Sequence, residues 1–383
     1  MDSINNRPGI LYIFPVSTAR KDSVVAVLRG ELRPERYLFY GLDYVQSKGI
    51  RIAHNIRDVS LSSNVLGQSY RYIQSTLGAY GGDLDWILPV WKELARADVL
   101  VVFSERALLP LLFLQRIGLR PRKPTLFISV GLPEKLAQFK DQSWLRKTLD
   151  ELRQVSRIIP LSKPEADLLN AKYGLGSNVE FVPAGIDTKY FNLIDTITDV
   201  DVLSIGGDPF RDFITLFASA RRLPELKFRV ITRKNIADKF QDVPANVDVH
   251  TDVPMMEIRG YMSRSHLLAL PVMDNTYSGA TTVMLQAMAM GKTVIANETG
   301  ANRAGYGFKS EENCIFTPPQ DVNALVRAIK RICGNPDLRS KVGKAARQYV
   351  EFHLDLNSFH EKLFNIIIEI CPALRAPVQE RVK

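Results

Sequence analysis

At 383 residues, 46% hydrophobic and 24% charged, the chain has the make-up of a folded globular protein and exceeds one ordinary core, which excludes wholesale disorder and points to two domains. A formal net charge of +9 favours anionic partners such as nucleotide diphosphates or an acidic membrane surface. Nucleic acid is set aside because zinc-ligand spacings, RNP-like aromatic strands and basic-region helices are all missing from the sequence.

The opening stretch MDSINNRPGILYIF has no basic segment followed by a long apolar run, and no later segment reaches the roughly 18 uninterrupted apolar residues of a membrane span. The expected setting is cytoplasmic, with membrane-peripheral attachment as an option. Short apolar runs then alternate with helical patterns, as βαβ units do. Strands are predicted at Gly9–Val16, Ile50–Asn55, Val99–Phe103, Thr125–Val130, Ile158–Leu161 and Val179–Val182. Helices are predicted at Trp86–Arg96, Glu105–Ile117, Gln142–Gln154 and Lys163–Tyr173, the last with Ser162 as capping residue and Pro164 in its first turn.

From Pro183 to Asp199 the pattern weakens into a linker, with Asp187 and Thr188 placed to cap its turn. A second alternating series follows. Its strands are predicted at Asp201–Ile205, Phe228–Ile231, Val247–His250, His266–Leu270, Thr293–Ala296 and Cys314–Thr317. Its helices are predicted at Phe210–Arg222, Val283–Met290, Asp321–Cys333 and Leu338–Phe352, and an amphipathic stretch, Phe359–Ile370, closes the chain. The expected fold class is α/β: two doubly wound, Rossmann-like parallel-sheet domains facing a central cleft. The boundaries are an N-terminal domain at 1–190, a second domain at 191–356, and a helix and tail at 357–383 that pack back on the first domain.

Cys314, Cys333 and Cys371 are odd in number and form no CxxC motif, which fits inert thiols in a reducing compartment. His54, His250, His266, His353 and His360 show no paired metal-ligand spacing. No metal and no cofactor is expected. The run Leu108–Leu114 beside Arg116, Arg120, Arg122 and Lys123 has two readings, an anionic-membrane docking surface or a buried helix followed by a solvated basic loop.

The most informative segment is PVMDNTYSGATTVMLQAMAMGKTVIAN, which ends at Asn297. It reads as strand, loop, Ser278-Gly279-Ala280-Thr281-Thr282 at a helix start, a Gly291 stop and another strand. Small residues at such a start let a phosphate approach the unpaired amides at the positive end of the helix. This segment resembles the donor-binding signature of the family 4 retaining glycosyltransferases of GT-B fold. Val182-Pro-Ala-Gly-Ile-Asp187, Leu203-Ser-Ile-Gly206-Gly207 with Arg211-Asp212, Pro318-Pro319-Gln320-Asp321 and Asn335-Pro336-Asp337 resemble other landmarks of that family in the same order.

The resemblance implies transfer of a sugar from a nucleotide-diphosphate donor, with UDP the common choice, to an acceptor hydroxyl of unassigned identity. It implies a donor site at Gly206, Gly207, Arg233, Ser278, Gly279, Ala280, Thr281, Thr282 and Gln286, with Arg211 and Ser278 in catalytic roles. Ser278 and Gln286, eight positions apart, replace the family's two glutamates, and Gly207 replaces its phosphate-turn arginine, so Arg211 is expected to supply the cation. Asn275 is a further candidate for the sugar. On the acceptor side Ser17, Thr18 and Ser129 are candidates, Ser129 standing where the family often has a histidine. The alternatives are a GT-B-fold sugar-nucleotide epimerase, for which the loop offers only Asp274, and a non-catalytic GT-B subunit.

Overall fold

The computed structural model describes residues 9–15, 18–56, 72, 82–277 and 279–375, with backbone only for Thr18 and Ala19. The chain divides into two compact units, Met1–Val182 with Phe359–Lys383, and Pro183–Ser358.

The first unit holds a five-stranded parallel sheet of β1 (Ile10–Ile13), β2 (Ile52–His54), β3 (Val99–Phe103), β4 (Thr125–Ser129) and β5 (Arg157–Pro160), in the order β2-β1-β3-β4-β5. β1, β3 and β4 are apolar on both faces because helices cover both, so they read as continuous runs and not as alternation. Val179–Val182, expected as a strand, contributes only an isolated bridge from Val179 to Ile158. The helix Lys163–Ala171 begins after Ser162, whose side chain makes no capping bond. Glu165 of its first turn is turned fully inward.

The helix Glu105–Arg116 decides the docking question. Leu108, Leu109, Leu111, Leu112 and Leu114 are all buried, so this apolar face belongs to the core. The basic residues are engaged locally. The guanidinium of Arg116 lies 5.0 Å from the Trp144 ring, that of Arg120 3.2 Å from the Trp91 ring, and Arg122 pairs with Glu151 at 2.8 Å. Of the two readings, the apolar face fits the buried helix followed by a solvated basic loop. No helix among the described residues is long and apolar enough to cross a membrane.

The second unit holds a six-stranded parallel sheet of β6 (Val200–Ile205), β7 (Phe228–Thr232), β8 (Val247–Thr251), β9 (Ser265–Leu270), β10 (Thr293–Asn297) and β11 (Ile315–Thr317). Its order is β11-β10-β9-β6-β7-β8. The direction of winding reverses between β6 and β9, so the loops leaving their carboxyl ends depart to opposite sides of the sheet and open a crevice between them. Residues 183–190, expected with the first domain, are held in the second unit. Ala184 N–H donates to Tyr306 Oη at 3.0 Å, Ile186 bridges Asp355, and Tyr190 Oη donates to the Met256 carbonyl at 3.3 Å. Asp187 caps this turn as expected, its carboxylate accepting from Lys189 N–H at 3.1 Å and Tyr190 N–H at 3.2 Å. Thr188 donates to Asp355 at 3.0 Å.

Helix packing in this unit is close. Gly343 in the helix Pro336–His353 lies against the backbone of Gly291, where any Cβ would collide with the Gly291 carbonyl. That approach fixes the helix Thr281–Ala289, which ends just before Gly291, against the closing helix. The start of Thr281–Ala289 is thereby held at the crevice.

Candidate anion site at the strand-order reversal of the second unit

β6 ends at Ile205 and enters the turn Gly206-Gly207-Asp208-Pro209-Phe210-Arg211-Asp212 before the helix Phe213–Arg221. The turn is tied to the sheet on both sides. Gly206 N–H donates to the Ile231 carbonyl at 3.0 Å, and Thr232 Oγ1 donates to the Gly206 carbonyl at 2.7 Å. Asp212 N–H donates to the Pro271 carbonyl at 3.0 Å and Met273 N–H to the Phe210 carbonyl at 2.8 Å, so the turn after β6 is zipped to the loop after β9. Asp212 is fully used as a helix cap, accepting from Thr215 N–H at 2.9 Å and Thr215 Oγ1 at 2.6 Å.

Arg211 is therefore not Asp212's partner. It is 6% exposed, and its Nε and Nη1 are buried without a hydrogen-bond partner. Burial lowers its proton affinity to about 10, the nearby Asp208 carboxylate acting in the opposite sense. No carboxylate among the described residues lies within ion-pair distance of it. A charged guanidinium kept this way costs several kcal/mol unless an anion completes it.

The two glycines are explained by the cations above them. A Cβ at Gly206 would collide with Arg211 Nε, and one at Gly207 would lie 2.8 Å from Arg233 Cγ. Neither position needs an unusual φ. Both need the absence of a side chain so that two arginines can lie over the backbone. Arg233 is exposed and forms no ion pair among the described residues.

Across the crevice, Gly279 N–H folds back to the Tyr277 carbonyl at 2.9 Å, and Met284 N–H is the first to find an acceptor in its own helix, the Ala280 carbonyl at 3.0 Å. The N–H groups of Thr281, Thr282 and Val283 thus open the helix without intrahelical acceptors. Gly279 is not one of these donors, which corrects the expectation that the free amides begin there. Ala280 occupies the cap position and supplies no side-chain cap. Thr281 is buried and its Oγ1 has no partner. Gln286 is buried on the same helix.

Sequence reasoning missed Asp208 and Tyr277. The Tyr277 hydroxyl donates to Asp208 Oδ2 at 2.8 Å, Phe210 N–H donates to Asp208 Oδ1 at 2.8 Å, and the Phe210 and Tyr277 rings meet edge-on at 5.6 Å. The Asp208 carboxylate lies against Gly279, its Cγ 3.2 Å from where a Cβ would stand. Asp-Pro-Phe is an available turn signal, but nothing local points Tyr277 at it. Asp274 accepts weakly from Gly300 N–H at 3.4 Å, and Asn275 donates to the Met273 carbonyl at 2.9 Å with its Oδ1 buried and unpartnered.

Ser278 and Ser17 lie outside the described residues, as does the side chain of Thr18, whose backbone starts the helix Thr18–Leu28. Ser129 is corrected. It is fully buried and donates to Glu165 Oε1 at 2.6 Å, an atom that also accepts from Gly131 N–H at 3.0 Å and Leu132 N–H at 3.1 Å. Its hydroxyl is committed inside the first unit and is not presented to a ligand. Glu165, absent from the sequence candidates, is pushed up to about 7 by burial, which outweighs those three donors. Among the described residues no group of three or more His, Cys, Asp or Glu is placed to hold a metal ion.

Residues 208–335, which contain Arg211, Arg233 and the helix start, match the family model described as Glycosyl transferases group 1. Among solved structures, sucrose-phosphate synthase from Thermosynechococcus elongatus is similar at a TM-score of 0.72 and 15% identity, covering 96% of this chain and 100% of that one. A glycosyltransferase from Rickettsia africae gives 0.63 at 15% identity, with coverage of 95% and 99%. Anabaena HepE, solved with UDP and glucose, gives 0.66 at 13% identity, with coverage of 94% and 99%. No curated protein matches the chain in sequence. The chain has the GT-B fold, and within its second unit residues 208–335 are similar to the group 1 glycosyl transferases.

Proposed function

We propose that the chain is a retaining glycosyltransferase of the family 4 kind, moving a sugar from a UDP-linked donor to an acceptor hydroxyl. The observation that carries the reading is Arg211: a buried guanidinium with Nε and Nη1 unpartnered, over Gly206, at the strand-order reversal. A nucleotide diphosphate supplies the missing anion. Arg233 and the open amides of Thr281–Val283 add donors to the same charge. That HepE was crystallised with UDP and glucose supports uridine as the base.

In the proposed reaction the acceptor hydroxyl attacks the anomeric carbon on the face from which the diphosphate leaves. The new C–O bond forms as the bond to the diphosphate breaks, and the departing phosphate oxygen takes the hydroxyl proton. Charge grows on the diphosphate, so the largest help comes from donors fixed before the reaction begins. Arg211 is fixed by burial and by a turn zipped to the neighbouring loop. Ser278 and Gln286 stand where the resemblance places two glutamates, Gln286 offering both a donor and an acceptor to a ribose hydroxyl.

The test is incubation with UDP-, GDP- and ADP-linked sugars together with acceptor extracts, reading release of free nucleotide diphosphate. Release from a UDP-sugar that depends on added acceptor supports the reading. Those two substitutions also favour a second reading, a nucleotide-binding subunit without turnover. Binding of donors with no release from any of them would establish it.

A further inference from the structure

The donor site contains a charge that a purely attractive phosphate site would omit. Asp208 stands in the turn over which Arg211 and Arg233 lie, with its carboxylate against Gly279 at the opposite side. It is held at both oxygens, by Phe210 N–H and by the Tyr277 hydroxyl, each at 2.8 Å. Tyr277 is itself packed edge-on against Phe210. A carboxylate so tethered cannot swing away when another anion arrives. It is too far from Arg211 to form an ion pair, yet close enough to favour the charged guanidinium.

We propose that Asp208 is the resident counter-anion of this site, offsetting Arg211 in the empty protein and selectively weakening the hold on the more highly charged product. The inference rests on the donor reading above. A nucleotide-diphosphate sugar has two ionised phosphate oxygens, whereas the free nucleotide diphosphate gains about one more negative charge above pH 7, since a terminal phosphate has its second pKa near 6. A fixed carboxylate within several ångströms repels each added charge. Asp208 thus sets the balance between keeping the donor and releasing the leaving group, and Tyr277 is the positioning residue that keeps it in place.

The test compares binding of UDP and UDP-glucose at pH 8 and low salt to wild type, Asp208→Asn and Tyr277→Phe, by calorimetry. Asparagine retains an acceptor for Phe210 N–H and turns the contact with Tyr277 into one in which its Nδ2 donates to the phenol oxygen, so the charge is removed with both contacts kept. The expected result for Asp208→Asn is UDP bound about tenfold more tightly and UDP-glucose only about threefold, with a matching rise in product inhibition. Tyr277→Phe keeps the charge but frees one carboxylate oxygen, and is expected to shift the ratio of the two affinities in the same direction by about twofold, less than Asp208→Asn does. Equal factors for both ligands in Asp208→Asn, or no change, would overturn the inference while leaving the donor site standing. So would a ratio change in Tyr277→Phe as large as in Asp208→Asn. If Asp208→Asn does not fold, Asp208→Ser, which also offers an acceptor to Phe210, gives the same readout. The guanosine and adenosine pairs are measured alongside. A wild type that binds none of these ligands overturns the donor reading and this inference together.

Discussion

Replacing Arg211 by methionine separates a structural arginine from a ligand-binding one, because the two roles move stability in opposite directions. The side chain is 6% exposed, with two nitrogens unpartnered, and burial pulls its proton affinity down to about 10. At roughly 1.4 kcal/mol per pKa unit, that depression sets about 3 kcal/mol against the charged form in the folded protein. The sign follows directly: a cation whose folded pKa is depressed is a burden at every pH below about 10, and removing the charge relieves it. Methionine fills much of the same volume, so the unliganded variant is expected to melt at the wild-type temperature or a few degrees higher. Turnover is expected to fall about a hundredfold or more, the scale of losing one fixed donor to a charge that develops in the transition state. Differential scanning fluorimetry without ligand, paired with nucleotide release at saturating donor, gives both numbers. A variant that melts well below wild type yet turns over normally would show Arg211 to be a packing residue and would refute the reasoning.

The other predictions use the same geometry. Gly206→Ala drives a Cβ into Arg211 Nε and is expected to lower turnover at least about tenfold, as for a displaced catalytic donor. Gly207→Ala meets Cγ, Cδ and Nε of Arg233, an exposed side chain free to shift, and should cost about threefold or less, a surface-contact effect, so an equal loss in both would remove the close-approach explanation. Glu165 has its folded pKa raised to about 7, so its contribution to stability is complete below its ordinary pKa and is lost as pH rises through 7. Denaturant titrations from pH 5 to 8 should therefore show a decline of up to about 3 kcal/mol that Glu165→Gln lacks, and parallel profiles would contradict this. Gly343→Ala pushes the closing helix off Gly291 and should reduce stability by about 2 kcal/mol, read from the denaturation midpoint, while a neutral result would mean the contact is slack. Replacing Arg116, Arg120, Arg122 and Lys123 by glutamine is expected to leave flotation with anionic liposomes unchanged and to lower the melting temperature through lost stacking on Trp144 and Trp91.

Much of the fold could be read from the chain alone. Strands such as Val99–Phe103 and Thr293–Asn297 are short apolar runs because parallel strands are covered on both faces, and that burial writes a local signal. The helix after Ser278 was visible in its small residues and its Gly291 stop. Readings stayed open or failed where one local pattern serves two environments. Leu108–Leu114 has the same spacing whether a bilayer or a core covers it, and Leu108 proved fully buried. Ser162 was expected to cap the helix Lys163–Ala171, but its side chain makes no capping bond, and Glu165 of the first turn bonds instead to Ser129, Gly131 and Leu132. Choosing between those partners needs to know that β4 and β5 are neighbours.

What the sequence determined by itself was therefore the strands of both sheets with several of the longer helices, the two-domain plan and the residue types of an anion site: glycines at 206, 207 and 279, cations at 211 and 233. Tertiary structure alone decided that β6 and β9 adjoin at the reversal, which brings segments about 70 residues apart into one site. It also decided that Arg211 is buried without a partner and that Tyr277 reaches Asp208. The reason is physical: periodicity and turn chemistry act over a few residues, whereas the burial and pairing of a charge depend on what distant segments place beside it.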